Sequence, residues 1–111
     1  MFETKTEIIE YCKYIVRCLV NEDYSDLEKR GILDRVSRED IKRVLSEYDN
    51  RSHITMPTTQ YFDKLDINEY SDGSGYWIDI NMFYNDRTSD LTLQLDFRKN
   101  GLVMIDDLHV L

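Results

Sequence analysis

The sequence predicts an α+β domain in which helices come first along the chain and pack on one face of an antiparallel sheet. Apolar residues recur at helical spacing through the first half, then alternate with period two from Leu65 onward. The alternating segments are joined by short polar and glycine-containing turns, the pattern of a meander and not of crossover connections. At 111 residues the chain has the length of one domain with one core, residues 1–55 forming the helical half and residues 65–111 the strands.

Thr4-Lys5-Thr6-Glu7 has capping-box spacing, and Ile8, Cys12, Ile15, Val16 and Leu19 form one helical face running to about Val20. Ser25-Asp26-Leu27-Glu28 repeats the box and predicts a short helix that Gly31 stops in a left-handed conformation. Ser37-Arg38-Glu39-Asp40 opens a third helix carrying Ile41, Val44, Leu45 and Tyr48. Residues 49–57 read as a loop, and residues 58–65 as one further helical turn. Residues 65–70 alternate weakly before the turn chemistry of Ser71-Asp72-Gly73-Ser74-Gly75. In the strand of residues 76–84, Ile78, Ile80 and Met82 share one face, with Trp77, Asp79, Asn81 and Phe83 on the other. Asn85 to Ser89 is predicted as a loop. In residues 90–98, Leu91, Leu93, Leu95 and Phe97 alternate with Asp90, Thr92, Gln94, Asp96 and Arg98. Asn100-Gly101 predicts a two-residue type I′ hairpin, and residues 102–111 are the returning strand, at an edge or in the centre of the sheet.

Composition narrows the function classes. With 41% hydrophobic and 32% charged residues the chain is globular, not disordered. Its net charge of −8 repels phosphate backbones, so the expected partners are basic proteins and not nucleic acid. No run of 18 apolar residues spans a membrane, and no apolar leader precedes the first amphipathic helix, so a cytoplasmic location is expected. The acidity is uneven: residues 1–55 hold 10 basic and 12 acidic side chains, residues 56–111 hold 4 and 10. The strand half therefore carries −6 of the −8.

That half supplies the candidate site. Asp79, Asp90 and Asp96 fall on the non-core parity of their strands beside Trp77 and Phe83, a set that reads as aromatic anchors with a charged rim for a protein partner. The same pattern also describes an ordinary solvated sheet face with an aromatic pair. Asp106-Asp107-Leu108-His109 is a polar cluster inside an apolar strand. An unbroken strand points Asp106 to the core as a pocket base, with His109 or Tyr84 as polar partner; a bulge at the aspartate pair instead joins Val103 and Ile105 to Leu108 and Val110. A pairing of exposed edges in this last strand would make a homodimer. Cys12 and Cys18, six residues apart on one helix and so separated by about 9 Å of rise, read as reduced structural thiols. Gly73-Ser74-Gly75 lacks the following helix of a phosphate loop, and the acidic residues around it lack the ligand pattern of a calcium loop. With two histidines, His53 and His109, and no nucleophile at a recognisable spacing from either, no metal, cofactor or catalytic residue is expected.

Trp77-x-Asp79-x-x-Met82-Phe83, Ser89-Asp90-Leu91-Thr92-Leu93 and Ile105-Asp106-Asp107-Leu108-His109-Val110-Leu111 together resemble an uncharacterised family of small bacterial proteins, and Asp23-Tyr24-Ser25-Asp26-Leu27 and Ser37-x-x-Asp40-Ile41 extend the likeness into the helical half. Where that family carries an acidic-glycine turn, this chain has Asn85-Asp86-Arg87-Thr88. Such small acidic proteins are similar to immunity proteins of contact-dependent growth inhibition. That resemblance implies a non-enzymatic inhibitor occupying a basic, nuclease-type toxin. The element order also resembles the nuclear-transport-factor-2-like and cystatin-like folds, a curved sheet wrapping an N-terminal helix. The former implies the alternative of a pocket protein that binds or transforms a small molecule through Asp106.

Overall fold

The computed structural model describes residues 4–111. Helices α1 (Lys5–Val20), α2 (Tyr24–Lys29) and α3 (Arg38–Tyr48) come first, followed by the two-residue strand β1 (Ile54–Thr55) and a short helix α4 (Thr59–Asp63). Strands β2 (Asn68–Glu69), β3 (Gly75–Tyr84), β4 (Arg87–Arg98) and β5 (Val103–Val110) complete the chain. This is the α+β order expected, helices before an antiparallel meander.

The helix starts follow their caps. The Thr4 hydroxyl accepts from the Glu7 N–H at 3.2 Å and the Ser37 hydroxyl from the Asp40 N–H at 3.2 Å. The box at Ser25 is not used. α2 begins at Tyr24 with Asp23 as an N-cap that makes no side-chain bond, and Arg38 donates to both the Ser25 hydroxyl and the Glu28 carboxylate. Gly31, at φ +74°, ends α2 as expected, the Ile32 N–H donating to the Leu27 carbonyl at 3.0 Å. Ile8, Cys12, Ile15, Val16 and Leu19 of α1 are buried, with Ile9 and Cys18 beside them. Burial pushes the Cys12 thiol up to about 12, and both cysteines are free.

The sheet order is β1-β3-β4-β5, with β2 pairing the other end of β3 along the edge that β1 also uses. Between these two short strands the Tyr61 hydroxyl accepts the Asn81 N–H at 2.7 Å, which satisfies an amide the sheet leaves open. Ile78, Ile80 and Met82 of β3, Leu91, Leu93, Leu95 and Phe97 of β4, and Val103, Ile105 and Leu108 of β5 form one core with the helices.

Both hairpin expectations are corrected. Asn85 and Asp86 both have positive φ (49° and 65°) and Tyr84 pairs with Arg87, so the type I′ turn lies there, where a longer loop was expected. Asx side chains tolerate this conformation, and the neighbouring segment holds it: the Asp86 N–H donates to the Thr55 hydroxyl at 2.8 Å. At the second hairpin only Gly101 has positive φ; its N–H donates to the Arg98 carbonyl at 3.0 Å and the Arg98 N–H to the Leu102 carbonyl at 2.8 Å. That is a three-residue connection with glycine in the left-handed position, not a type I′ turn.

β5 settles two open readings. Gln94 pairs with Asp107 and Leu95 with Ile105, leaving Asp106 as the extra residue of a bulge; Val103, Ile105 and Leu108 are thereby buried together and Asp106 faces outward. Val110, expected with them, is half exposed at the sheet's margin. β5 is an edge strand, and its edge is partly closed. The Ile105 N–H donates to the Ile32 carbonyl at 2.9 Å, and the Leu108 N–H to the Asp107 carboxylate at 2.8 Å. These two bonds occupy edge amides, the kind of blocking by which edge strands limit pairing with other chains.

Candidate functional site: an aromatic groove on the outer sheet face

The face of the sheet opposite the core centres on Asp96. Its parity on β4 turns it away from the helices, yet it is 1% exposed. A buried carboxylate requires partners, and this one has three. Its Oδ2 accepts from Arg35 Nη1 and from Arg98 Nε, both at 3.0 Å, and its Oδ1 from the Tyr70 hydroxyl at 3.0 Å. Arg35, in the connection between α2 and α3, also donates through Nη1 to Asp106 Oδ1 at 2.8 Å. One guanidinium therefore bridges β4 to the bulge of β5. The Asp106 bond above all, and Asp96 after it, raise the Arg35 pKa further, fixing it as a cation. Burial, then the Asp96 carboxylate, pushes the Tyr70 phenol upward and keeps its proton on the oxygen that donates.

Against this network lies a groove of about 540 Å³ lined by Glu69, Tyr70, Ser71, Trp77, Gln94, Leu95 and Asp106. Trp77 is 37% exposed and leans on Tyr70, ring centres 5.3 Å apart at 32°. Arg98 sits 5.2 Å from the Tyr70 ring, so the tyrosine joins a cation to the indole. Glu69 and Asp106 have exposed carboxylates; Glu69 approaches Lys99 at 3.7 Å, a solvent-screened pair of little energetic weight. The Gln94 amide donates to Asp79 Oδ1 at 3.2 Å, tying Asp79 to the same face.

The residues expected at a partner surface thus separate. Trp77 and Asp79 lie where the parity places them, at or beside the groove. Phe83 keeps its parity but is not accessible: it is 6% exposed, covered by Tyr61 with ring centres 5.0 Å apart. Asp96 is an internal hub and not a rim charge. Asp90 belongs to another region, its carboxylate accepting from the Tyr48 hydroxyl at the end of α3. The register between β3 and β4 shifts beyond Asn81–Thr92, so simple alternation fails at Asp90; the Ser89 hydroxyl donates to the Met82 carbonyl at 2.6 Å within this irregularity.

The pocket grouping does not assemble. Asp106 lies outside the core and is held by Arg35. The Tyr84 hydroxyl donates to the Leu45 carbonyl at 2.9 Å and borders a separate cavity of about 370 Å³ with Lys42, Asp49 and His53. His109 Nδ1 is 2.9 Å from Asp107 Oδ2, but without the alignment of a hydrogen bond. Among the described residues, Cys18, Asp23 and Asp26 bring potential ligand atoms within 4.8 Å of one another. Burial, then Asp23, pushes the Cys18 thiol up, so it stays a protonated and poor ligand, and Asp26 pairs with Arg30 at 3.4 Å.

Arg35, Glu69, Tyr70 and Gln94 were not legible as site residues. Arg35 sits in an irregular connection and Tyr70 just before a turn, positions whose spatial neighbours only the folded sheet defines. A tyrosine directly preceding Ser71-Asp72-Gly73 was the one local hint.

A family model described as a domain of unknown function, DUF7668, matches residues 16–111. The chain belongs to that family. No curated protein and no solved structure matches it. The DUF7668 match takes in Arg35, Asp96, Asp106 and the entire groove, so the site lies wholly within the DUF7668 domain. No helix of the described residues is long and apolar enough to cross a membrane.

Proposed function

We propose that the chain is a non-enzymatic binding protein of the immunity type, acting in the cytoplasm by neutralising a cognate basic, nuclease-type toxin domain. The observation that supports this is the half-exposed Trp77, braced by Tyr70 and flanked by the carboxylates of Glu69 and Asp106, in the half of the chain that carries most of the negative charge. A rigid aromatic anchor with acidic groups around it suits a basic protein surface, and complementary charge speeds the encounter. A nuclease site built to hold phosphates would accept such a face and be closed to its substrate. Trp77 is the anchor in this reading, Asp79, Glu69 and Asp106 supply the field, and Asp96 with Arg35 holds the groove in shape.

The test begins with the tagged chain as bait at low salt in its own cells, followed by reconstitution of the captured protein with the purified chain. The expected result is a stoichiometric complex with a basic protein whose affinity falls as salt rises and whose toxicity the chain suppresses. A partner bound with no dependence on salt, or one whose toxicity the chain leaves untouched, overturns the reading.

A further inference from the structure

We infer that the groove at Trp77 is a seat for a single arginine side chain of the protein partner, the guanidinium lying over the indole and donating to Glu69 and Asp106. This deepens the reading of the chain as a binder of basic proteins and rests on it for the source of the arginine.

Three observations converge on a guanidinium. The first is the aromatic face: the Tyr70 ring carries Arg98 at 5.2 Å and Trp77 at 5.3 Å, whereas among the described residues no cation lies over Trp77, which is the more favourable ring for one. The second is the acceptor set. Asp106 gives one oxygen, Oδ1, to Arg35, and its Oδ2 has no hydrogen-bond partner among the described residues. Among the described residues Glu69 has only the distant Lys99, and the Gln94 amide donates to Asp79, which leaves its carbonyl oxygen as a further acceptor on the groove wall. The third is size: about 540 Å³ exceeds one side chain and leaves room for the peptide that carries it.

Arginine fits these better than lysine. A planar guanidinium stacks on the indole while its fork of N–H donors reaches two carboxylates, but an ammonium offers a compact, strongly hydrated charge that does one or the other. The protein already uses this chemistry next door, where Arg35 and Arg98 converge on Asp96. The incoming arginine would meet the remaining, exposed part of the same acidic face.

Trp77 is the sole tryptophan, so its fluorescence reports on this groove alone. The full chain is titrated at low salt with a blocked peptide holding one arginine, with the same peptide carrying neutral citrulline, and with the lysine version. Saturable quenching by the arginine peptide is expected, roughly tenfold weaker with lysine and absent with citrulline, and lost in the Glu69→Gln, Asp106→Asn double variant. Both substitutions lie at exposed positions, and circular dichroism checks that the variant is folded. Equal curves for arginine and citrulline, or unchanged quenching in the folded double variant, overturn the seat. The two readings fail separately. A basic toxin whose affinity survives Trp77→Ala overturns the arginine seat and leaves the acidic inhibitor standing. Quenching by the arginine peptide, in a chain that does not protect against the captured partner, supports the seat and overturns the inhibitor.

Discussion

Asp96 and Asp106 are held by the same guanidinium, that of Arg35, yet they belong to different physical regimes. Asp96 is enclosed, with both oxygens engaged by two arginines and a tyrosine. Asp106 has a side chain 55% exposed and one oxygen turned to solvent. The first aspartate holds strands and connection together; the second is available to a ligand. A short distance to a cation says little by itself, because water decides how much the pair contributes and how much of the carboxylate is left over.

The largest expected effect comes from Asp96→Asn, which removes the charge that two guanidiniums share. Breaking a buried pair costs about 3–5 kcal/mol, and the lower end is expected because Arg35 and Arg98 are partly exposed and can turn outward. The midpoint of denaturant unfolding measures it. A shift no larger than that of Asp106→Asn would erase the distinction between the two sites.

Alkali probes the enclosed regime elsewhere in the sheet. Burial raises the Tyr84 phenol from its ordinary value of 10.0 to about 12. The folded state therefore favours the protonated form. Its contribution to stability is complete below pH 10.0 and is lost as the pH rises through about 12. Unfolding midpoints across that window should fall, and Tyr84→Phe should flatten the fall. A smaller effect is expected of Tyr70→Phe, which keeps the ring under Trp77 and deletes one hydroxyl donor to Asp96, for about 1 kcal/mol. Smallest is Asp106→Asn. It should change stability by less than about 1 kcal/mol while weakening arginine-peptide binding, and a large stability loss would place Asp106 with Asp96 in the structural network.

Much of the fold was legible. The Thr4 and Ser37 caps, the buried face of α1, the Gly31 stop and the core parity of β3 and β4 all follow from local chemistry and periodicity, each set by residues close together in the chain. The hairpins were misread because Asn-Gly is a strong local signal, but the strand register chose between turn types. Asn85-Asp86 took the type I′ geometry with support from Thr55, thirty-one residues away. The site was read in part. Trp77 and Asp79 remain accessible on the predicted face, whereas on that same face Phe83 is covered by Tyr61 and Asp96 is enclosed by Arg35, Arg98 and Tyr70, and Asp90 is drawn to Tyr48 at the β4 irregularity.

By itself the sequence determined the fold class, the acidic strand half and the alternation that sends Trp77 away from the core. Those properties depend on residue type and on neighbours a few positions off. The tertiary structure alone decided which carboxylates are enclosed and which are open. That depends on Arg35 arriving from a connection sixty-one residues before Asp96 and on the bulge that turns Asp106 outward, and no period along the chain encodes such a meeting.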